Sequence, residues 1–306
     1  MSSPFGPLIL ICNPRAGGGG AKRALPEVLE QLGRRGLEHE LCYTEGPGHA
    51  VELARGAVDD GHRLIVAVGG DGTVHEVVNG MIENDRARDD RIVLGIVAAG
   101  TGCDFIRTFG IPHTAAHAVV HLDGPESFPI DIGKVTVAGE DGPRVRYFAN
   151  VAEAGLGAEV ARRVPRLRPL LGPTVYLFAF WLALARHRPA DATVDLVDRI
   201  YEGRVSNLVV ANGQFYGAGM KIAPKAAPTD GLLDIQIQHP TKAEAVALLP
   251  RVYRGDHVPH PDILEAKRVK VTIDARPPLP VEADGELLGH TPAAFELLRN
   301  AIHLKV

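Results

Sequence analysis

Through residue 130, short apolar runs alternate with longer amphipathic stretches. Residues 8–12 (LILIC), 64–68 (LIVAV) and 92–97 (IVLGIV) are apolar and partly β-branched, the pattern of strands buried on both faces. Residues 38–43 read as a further strand, and residues 21–32 and 49–58 as helices. Val74, Val77, Val78 and Met81 fall at i, i+3, i+4 and i+7, one apolar face of another helix. Thr73 and Glu76 have capping-box spacing, which would close that helix on itself. Strands alternating with helices predict a parallel, Rossmann-like α/β sheet.

Past Asp131 the pattern changes. Residues 134–137, 144–151, 193–197, 205–210, 232–238 and 269–273 are short β-type runs separated by Gly, Pro and Asp, which predicts a mainly β second domain. Residues 241–253 read as a surface helix, and residues 295–306 suit a partner in either domain. Domains are expected at 1–132 and 133–292, with the segment near 293–306 packing back on the first.

Residues 170–185 are almost wholly apolar and contain Tyr176, Phe178, Phe180 and Trp181. Arg162, Arg163, Arg166 and Arg168 precede them; Arg186, His187 and Arg188 follow. The stretch falls short of the roughly 20 residues a membrane-spanning helix needs, so no transmembrane segment is expected. It reads as a buried core helix with solvated ends, or as an apolar lid with arginines at the level of anionic headgroups.

Composition narrows the field. The 306 residues are 45% hydrophobic and 23% charged, which allows a sizeable core. A net charge of −4 argues against a nucleic-acid partner. Cys12, Cys42 and Cys103 have no C-x-x-C spacing, so neither a disulfide framework nor a zinc site is expected. With no basic leader at the N-terminus, a cytoplasmic location is expected.

Three predicted strand ends carry small or polar loops: residues 13–20 (NPRAGGGG), 69–73 (GGDGT) and 100–104 (GTGCD). Parallel strands end on one edge, where ligands bind, and a glycine turn opening a helix offers backbone N–H groups to an anion. Three such loops point to a phosphate-bearing ligand. GGDGT is neither the GxGxxG fingerprint nor the GxxxxGK[ST] loop. No lysine follows it, and Asp71 would repel a phosphate unless a cation lay between them. Asp284-Gly285-Glu286 reads as a hairpin tip or as carboxylates placed for proton transfer. Asp230-Gly231 reads as a turn entering a strand, and the 13 histidines show no metal spacing.

The strings NPRAGGG, GGDGTVHEVVNG, GIVAAGTGCDFIRTFGIP, NGQFYGAGMKIAPKAAPTDGLLD and VEADGELLG follow one another across nearly the whole chain. In them the sequence resembles the diacylglycerol kinase catalytic family, in its soluble bacterial lipid-kinase branch, related to sphingosine kinases and NAD kinases. It departs where that family commonly reads PAGTxNDFAR: Ala98 replaces proline, Cys103 asparagine and Ile106 alanine.

The resemblance implies an α/β nucleotide-binding domain, a mainly antiparallel C-terminal β-sandwich for the lipid, and an active site between them. It implies transfer of the γ-phosphate of ATP, with Mg²⁺, to a hydroxyl of diacylglycerol or a similar lipid. The setting would be phospholipid biosynthesis, with the protein peripheral at the inner membrane surface. The ATP site would comprise Asn13, Pro14, Arg15, Ala16, Gly17, Thr44, Gly69, Gly70, Asp71, Gly72, Thr73, Val74, His75 and Thr101. Asp71, Asp104 and Asp131 would form a carboxylate network near the transferred phosphate. Glu286 would be the general base, with Asp284 as partner or rival. A Mg²⁺ away from the reaction would sit on Asp230 and the carbonyls of Ala227 and Leu232. The alternatives are an NAD kinase, a related fold that also uses GGDGT, and a nucleotide- or lipid-binding regulator without turnover. A homodimer is left open.

Overall fold

A computed structural model describes residues 3–98, 103–112, 114–140, 142–171 and 174–306. The chain divides into two compact units, Met1–Ile132 with Leu298–Val306, and Gly133–Leu297.

In the first unit the strands His39–Tyr43, Leu8–Cys12, Leu64–Gly69 and Val93–Ala98 lie side by side in that order, all parallel. Their register sets Tyr43, Cys12, Val68 and Val97 level with one another. The last three strands are buried at every position, as their unbroken apolar runs require. Leu10, Val66 and Val97 pack with Leu25, Val28 and Leu32 of the helix Ala16–Arg34. That helix opens with a left-handed turn, with φ of 59°, 62° and 83° at Gly17, Gly18 and Gly19. Consecutive left-handed residues strongly favour glycine, which accounts for the glycine run.

The expected capping box does not form. The helix Asp71–Met81 starts after Gly70 with no side-chain cap. Glu76 instead serves the helix His49–Asp59, where Oε1 accepts from the Gly48 N–H at 2.9 Å and Oε2 from the Ala50 N–H at 3.1 Å. Gly80 lets the two helices approach, since a Cβ there would lie 2.5 Å from the Val51 carbonyl oxygen. Spacing along one helix cannot register that a neighbouring helix has brought its own unpaired N–H groups within reach.

In the second unit six strands run antiparallel in the order Ile263–Arg268, Leu233–Gln238, Asn207–Ala211, Val151–Gly155, Pro280–Ala283 and Glu286–His290. Ile200–Val205, Ala190–Asp195 and Lys270–Arg276 form another antiparallel set. Val194, Ile273 and Phe295 share one buried cluster with Leu208, Ile235 and Val281, so two sheets pack face to face as a sandwich. The strand Ala293–Lys305 pairs in both units: Phe295 lies beside Val271 in the second, and His303 beside Val93 in the first.

The long apolar stretch is covered by the helices Val164–Leu171 and Val175–Arg186, with Gly172 and Pro173 outside the described residues. Val175–Arg186 buries Val175, Ala179, Ala183 and Leu184 and leaves Leu177, Phe178 and Trp181 in solvent. Three of its exposed side chains are thus large and apolar, which an ordinary solvent-facing helix surface would not place there. Among the described residues no helix is long and apolar enough to cross a membrane. The surface helix Lys242–Arg254 does form a capping box, between Thr241 and Glu244.

Candidate functional site

The parallel register gathers the loops of the first unit on one edge. The Asn13 N–H donates to the Val68 carbonyl at 3.0 Å, and the Thr44 N–H to the Cys12 carbonyl at 2.9 Å. Asn13, Thr44 and Gly69 therefore stand side by side. Asn13 Oδ1 accepts from the Arg15 N–H at 3.1 Å, which bends Pro14, Arg15 and Ala16 toward the left-handed Gly17.

Gly69 is required by its contact with Thr73, since a Cβ would lie 2.3 Å from Thr73 Oγ1. That hydroxyl is buried and has no hydrogen-bond partner among the described residues. Val74 and His75 are buried in the same turn, behind Gly70, Asp71 and Gly72. An orphaned buried hydroxyl at the uncapped start of a helix calls for an external acceptor.

Asp71 is held from both sides: Oδ2 accepts from the Asp104 N–H and Oδ1 from the Phe105 N–H, each at 3.0 Å. It thereby closes the N-terminus of the helix Asp104–Phe109. Asp104 is buried, with the Arg107 Nε 3.1 Å from its Oδ1. Asp131, also buried, accepts from the Asn300 N–H at 2.8 Å, which ties it to the C-terminal segment. Burial, and then the Asp71 charge, pushes the Cys103 thiol well above its ordinary range, so Cys103 stays neutral beside that carboxylate. Thr101 lies outside the described residues.

In the second unit Asp284 and Gly285, with φ of 46° and 89°, form the tight turn between Pro280–Ala283 and Glu286–His290. Asp284 Oδ1 accepts from the Asn150 and Val151 N–H groups at 3.1 and 3.0 Å, and Oδ2 from the Ala149 N–H at 2.8 Å. Glu286 faces the Arg146 Nε, 3.0 and 3.1 Å from its two oxygens, and 39% of its side chain is exposed. The two carboxylates are thus held differently: Asp284 by three backbone N–H groups, and Glu286 by a guanidinium at a partly exposed position. NGQFYGAGM braces that grip, because the N–H groups of Asn212 and Gly213 both donate to the Asn150 carbonyl at 2.8 Å. A Cβ on Gly213 would lie 2.0 Å from Asn150 Oδ1.

Sequence reasoning passed over Arg146, Glu153 and Glu282. Glu153 and Glu282 are partners across adjacent strands, and both are buried. Glu282 Oε2 accepts from the Gly285 N–H at 2.6 Å, and Glu153 Oε1 from Asn207 Nδ2 at 2.8 Å. Burial pushes both carboxyls up, Glu153 to about 7 and Glu282 well above the carboxylate range, the latter also through the Glu153 charge. The available signal was a single acid inside an apolar strand, Glu153 between Ala152 and Ala154, and Glu282 between Val281 and Ala283.

The turn at Asp230 departs from the expected Mg²⁺ site. Asp230 Oδ1 accepts from the Leu232 N–H at 3.0 Å, and Oδ2 from Lys267 Nζ at 2.7 Å. The Ala227 carbonyl already accepts from the N–H groups of Thr229 and Asp230. A lysine ammonium holds one Asp230 oxygen and backbone N–H groups hold the other and the Ala227 carbonyl, so the residues as arranged do not fit a divalent ion. Among the described residues no group of three or more His, Cys, Asp or Glu is placed to hold a metal.

The fold recurs in solved structures. A diacylglycerol kinase crystal structure from Bacillus anthracis str. Sterne superposes with a TM-score of 0.73 at 23% identity, covering 99% of this chain and 97% of that one. Yeast NADH kinase complexed with NADH superposes with a TM-score of 0.55 at 10% identity, covering 98% and 83%. Sequence separates the two. The profile of the diacylglycerol kinase catalytic domain matches residues 7–135, and that of the YegS C-terminal NAD kinase beta sandwich-like domain matches residues 150–306. Diacylglycerol kinase of Bacillus subtilis (strain 168) is 30% identical over 301 residues, 96% of this chain and 94% of the relative. That of Staphylococcus haemolyticus is 30% identical over 297 residues, 96% and 86%. The chain belongs to the diacylglycerol kinase family, a family of lipid kinases.

Proposed function

We propose that the protein transfers the γ-phosphoryl group of ATP to a hydroxyl of diacylglycerol or a similar lipid. The observation that carries the reading is the buried Thr73 hydroxyl without a partner among the described residues, on a sheet edge shared with Asn13 and Thr44. A phosphate oxygen would satisfy it, at the start of a helix whose dipole favours the same charge. The ATP site is assigned to Asn13–Gly17, Thr44, Gly69–His75 and Thr101, and the second unit is assigned the lipid.

Phosphoryl transfer needs charge neutralisation and a base. Mg²⁺ uses one or two carboxylates plus substrate phosphates; Asp71 and Asp104 would hold it, and when bound it would offset the charge of the transferred group. Asp131 is assigned to the same network. Glu286 takes the proton of the lipid hydroxyl as its oxygen bonds to the γ-phosphorus and ADP leaves. Asp284 keeps the turn in shape. Exposed Leu177, Phe178 and Trp181, with exposed Arg166, Arg186 and Arg188 nearby in sequence, suit a protein peripheral at the cytoplasmic face of an anionic membrane.

The test is transfer of labelled phosphate from Mg-ATP to diacylglycerol in mixed micelles, to sphingosine and to NAD, in parallel. Labelled phosphatidic acid is the expected product. NADP formation would overturn the lipid reading, and no product from any acceptor would mark a regulator without turnover.

A further inference from the structure

The turn at residues 225–234 carries its own cation. Lys267 Nζ stands 2.7 Å from Asp230 Oδ2, 3.0 Å from the Lys225 carbonyl and 3.0 Å from Asp234 Oδ2. An ammonium has three donors, and three protein oxygens surround this one. Nor is the contact a chance meeting of flexible chains. Lys267 and Asp234 are register partners on the adjacent strands Ile263–Arg268 and Leu233–Gln238, so the backbone places the ammonium over the turn.

Asp234 is buried, so its negative charge beside the more exposed Asp230 would be costly without a cation. A second lysine, Lys225, is already engaged by Glu265 at 2.9 Å. Mg²⁺ needs oxygens at about 2.0–2.1 Å in near-octahedral array, and Ca²⁺ at about 2.3–2.6 Å; neither can enter while the ammonium occupies the point where these oxygens converge.

We infer that Lys267 is a built-in replacement for a divalent ion at the Asp230–Asp234 turn, which makes this part of the second unit metal-independent. Any requirement for Mg²⁺ is then confined to the nucleotide. The inference does not depend on which nucleotide or lipid the protein uses. It also explains why Asp230 bonds to a lysine rather than standing open beside the Ala227 and Leu232 carbonyls.

The experiment is thermal unfolding of the nucleotide-free full chain at fixed ionic strength, with EDTA or with millimolar MgCl₂ or CaCl₂, alongside titration of Mn²⁺ followed by its free-ion EPR signal. The wild type and Asp230→Asn should respond identically to metal. Lys267→Gln should be less stable than wild type in EDTA and should gain a rise of several degrees in Tm with metal. A further Asp230→Asn change in that background should abolish the rise. A metal-dependent rise in the wild type that Asp230→Asn removes would overturn the inference, as would a folded Lys267→Gln variant that ignores metal. If Lys267→Gln folds only when metal is present, that supports the inference; if it folds under neither condition, the wild-type and Asp230→Asn comparison decides.

Discussion

The Arg146 guanidinium and the Glu286 carboxylate meet on the second unit, Nε to Oε1 at 3.0 Å and to Oε2 at 3.1 Å, from positions far apart in the chain. The pair holds the proposed base at a partly exposed position. Asp284, two residues earlier, is fixed by three backbone donors. A base must exchange a proton with its substrate, and a carboxylate saturated by buried N–H groups is poorly suited to that.

The two acids should therefore fail differently. Glu286→Gln should lower kcat by about 10²–10⁴-fold with Tm and nucleotide affinity near wild type. Asp284→Asn retains one acceptor oxygen for three donors and should cost about 2 kcal/mol of stability, read in denaturant unfolding. Near-normal turnover in Glu286→Gln would remove it from the base role.

The buried acids behind the turn should make stability fall with rising pH. The pKa values of Glu153 and Glu282 are raised in the folded state, so their contribution is fully present below the unfolded carboxylate pKa of about 4.3 and is lost as pH rises through the folded values. For Glu153 that places the loss between about pH 4.3 and 7. Asp284 and Tyr216 are the other titratable groups that act on the pair. Glu282→Gln, which keeps an acceptor for the Gly285 N–H, should flatten the slope of Tm against pH. An unchanged slope would show that another group sets it.

Thr73 and Glu76 should separate binding from stability. Thr73→Val removes an orphaned hydroxyl at nearly constant volume, so Tm should hold or rise while ATP affinity, measured by calorimetry, falls. Glu76→Ala uncaps the helix His49–Asp59 and should cost about 1 kcal/mol. Weaker ATP binding from Glu76→Ala alone, at full stability, would contradict this division.

For the apolar helix, the outward residues are the ones to change. Phe178 and Trp181 are 53% and 46% exposed. Replacing both with serine should reduce cosedimentation with anionic vesicles several-fold and leave Tm within a few degrees of wild type. A large drop in Tm with vesicle binding intact would return them to a packing role.

What the sequence determined by itself were the things written in local pattern. Unbroken apolar runs specified buried parallel strands; short β-type runs with turn residues specified a mainly β second domain; glycine at positions 17, 69 and 285 marked backbone that a side chain would block or strain. The ordered motifs specified the family. Only the tertiary structure decided which partner each polar group takes. Glu76 caps a neighbouring helix, Arg146 finds Glu286, Glu153 meets Glu282, and Lys267 enters the turn expected to hold Mg²⁺. The physical reason is common to all four. Hydrophobic burial follows from a period along one segment, whereas a hydrogen bond or ion pair is set within a few ångströms in space by strand register and helix packing that join distant parts of the chain.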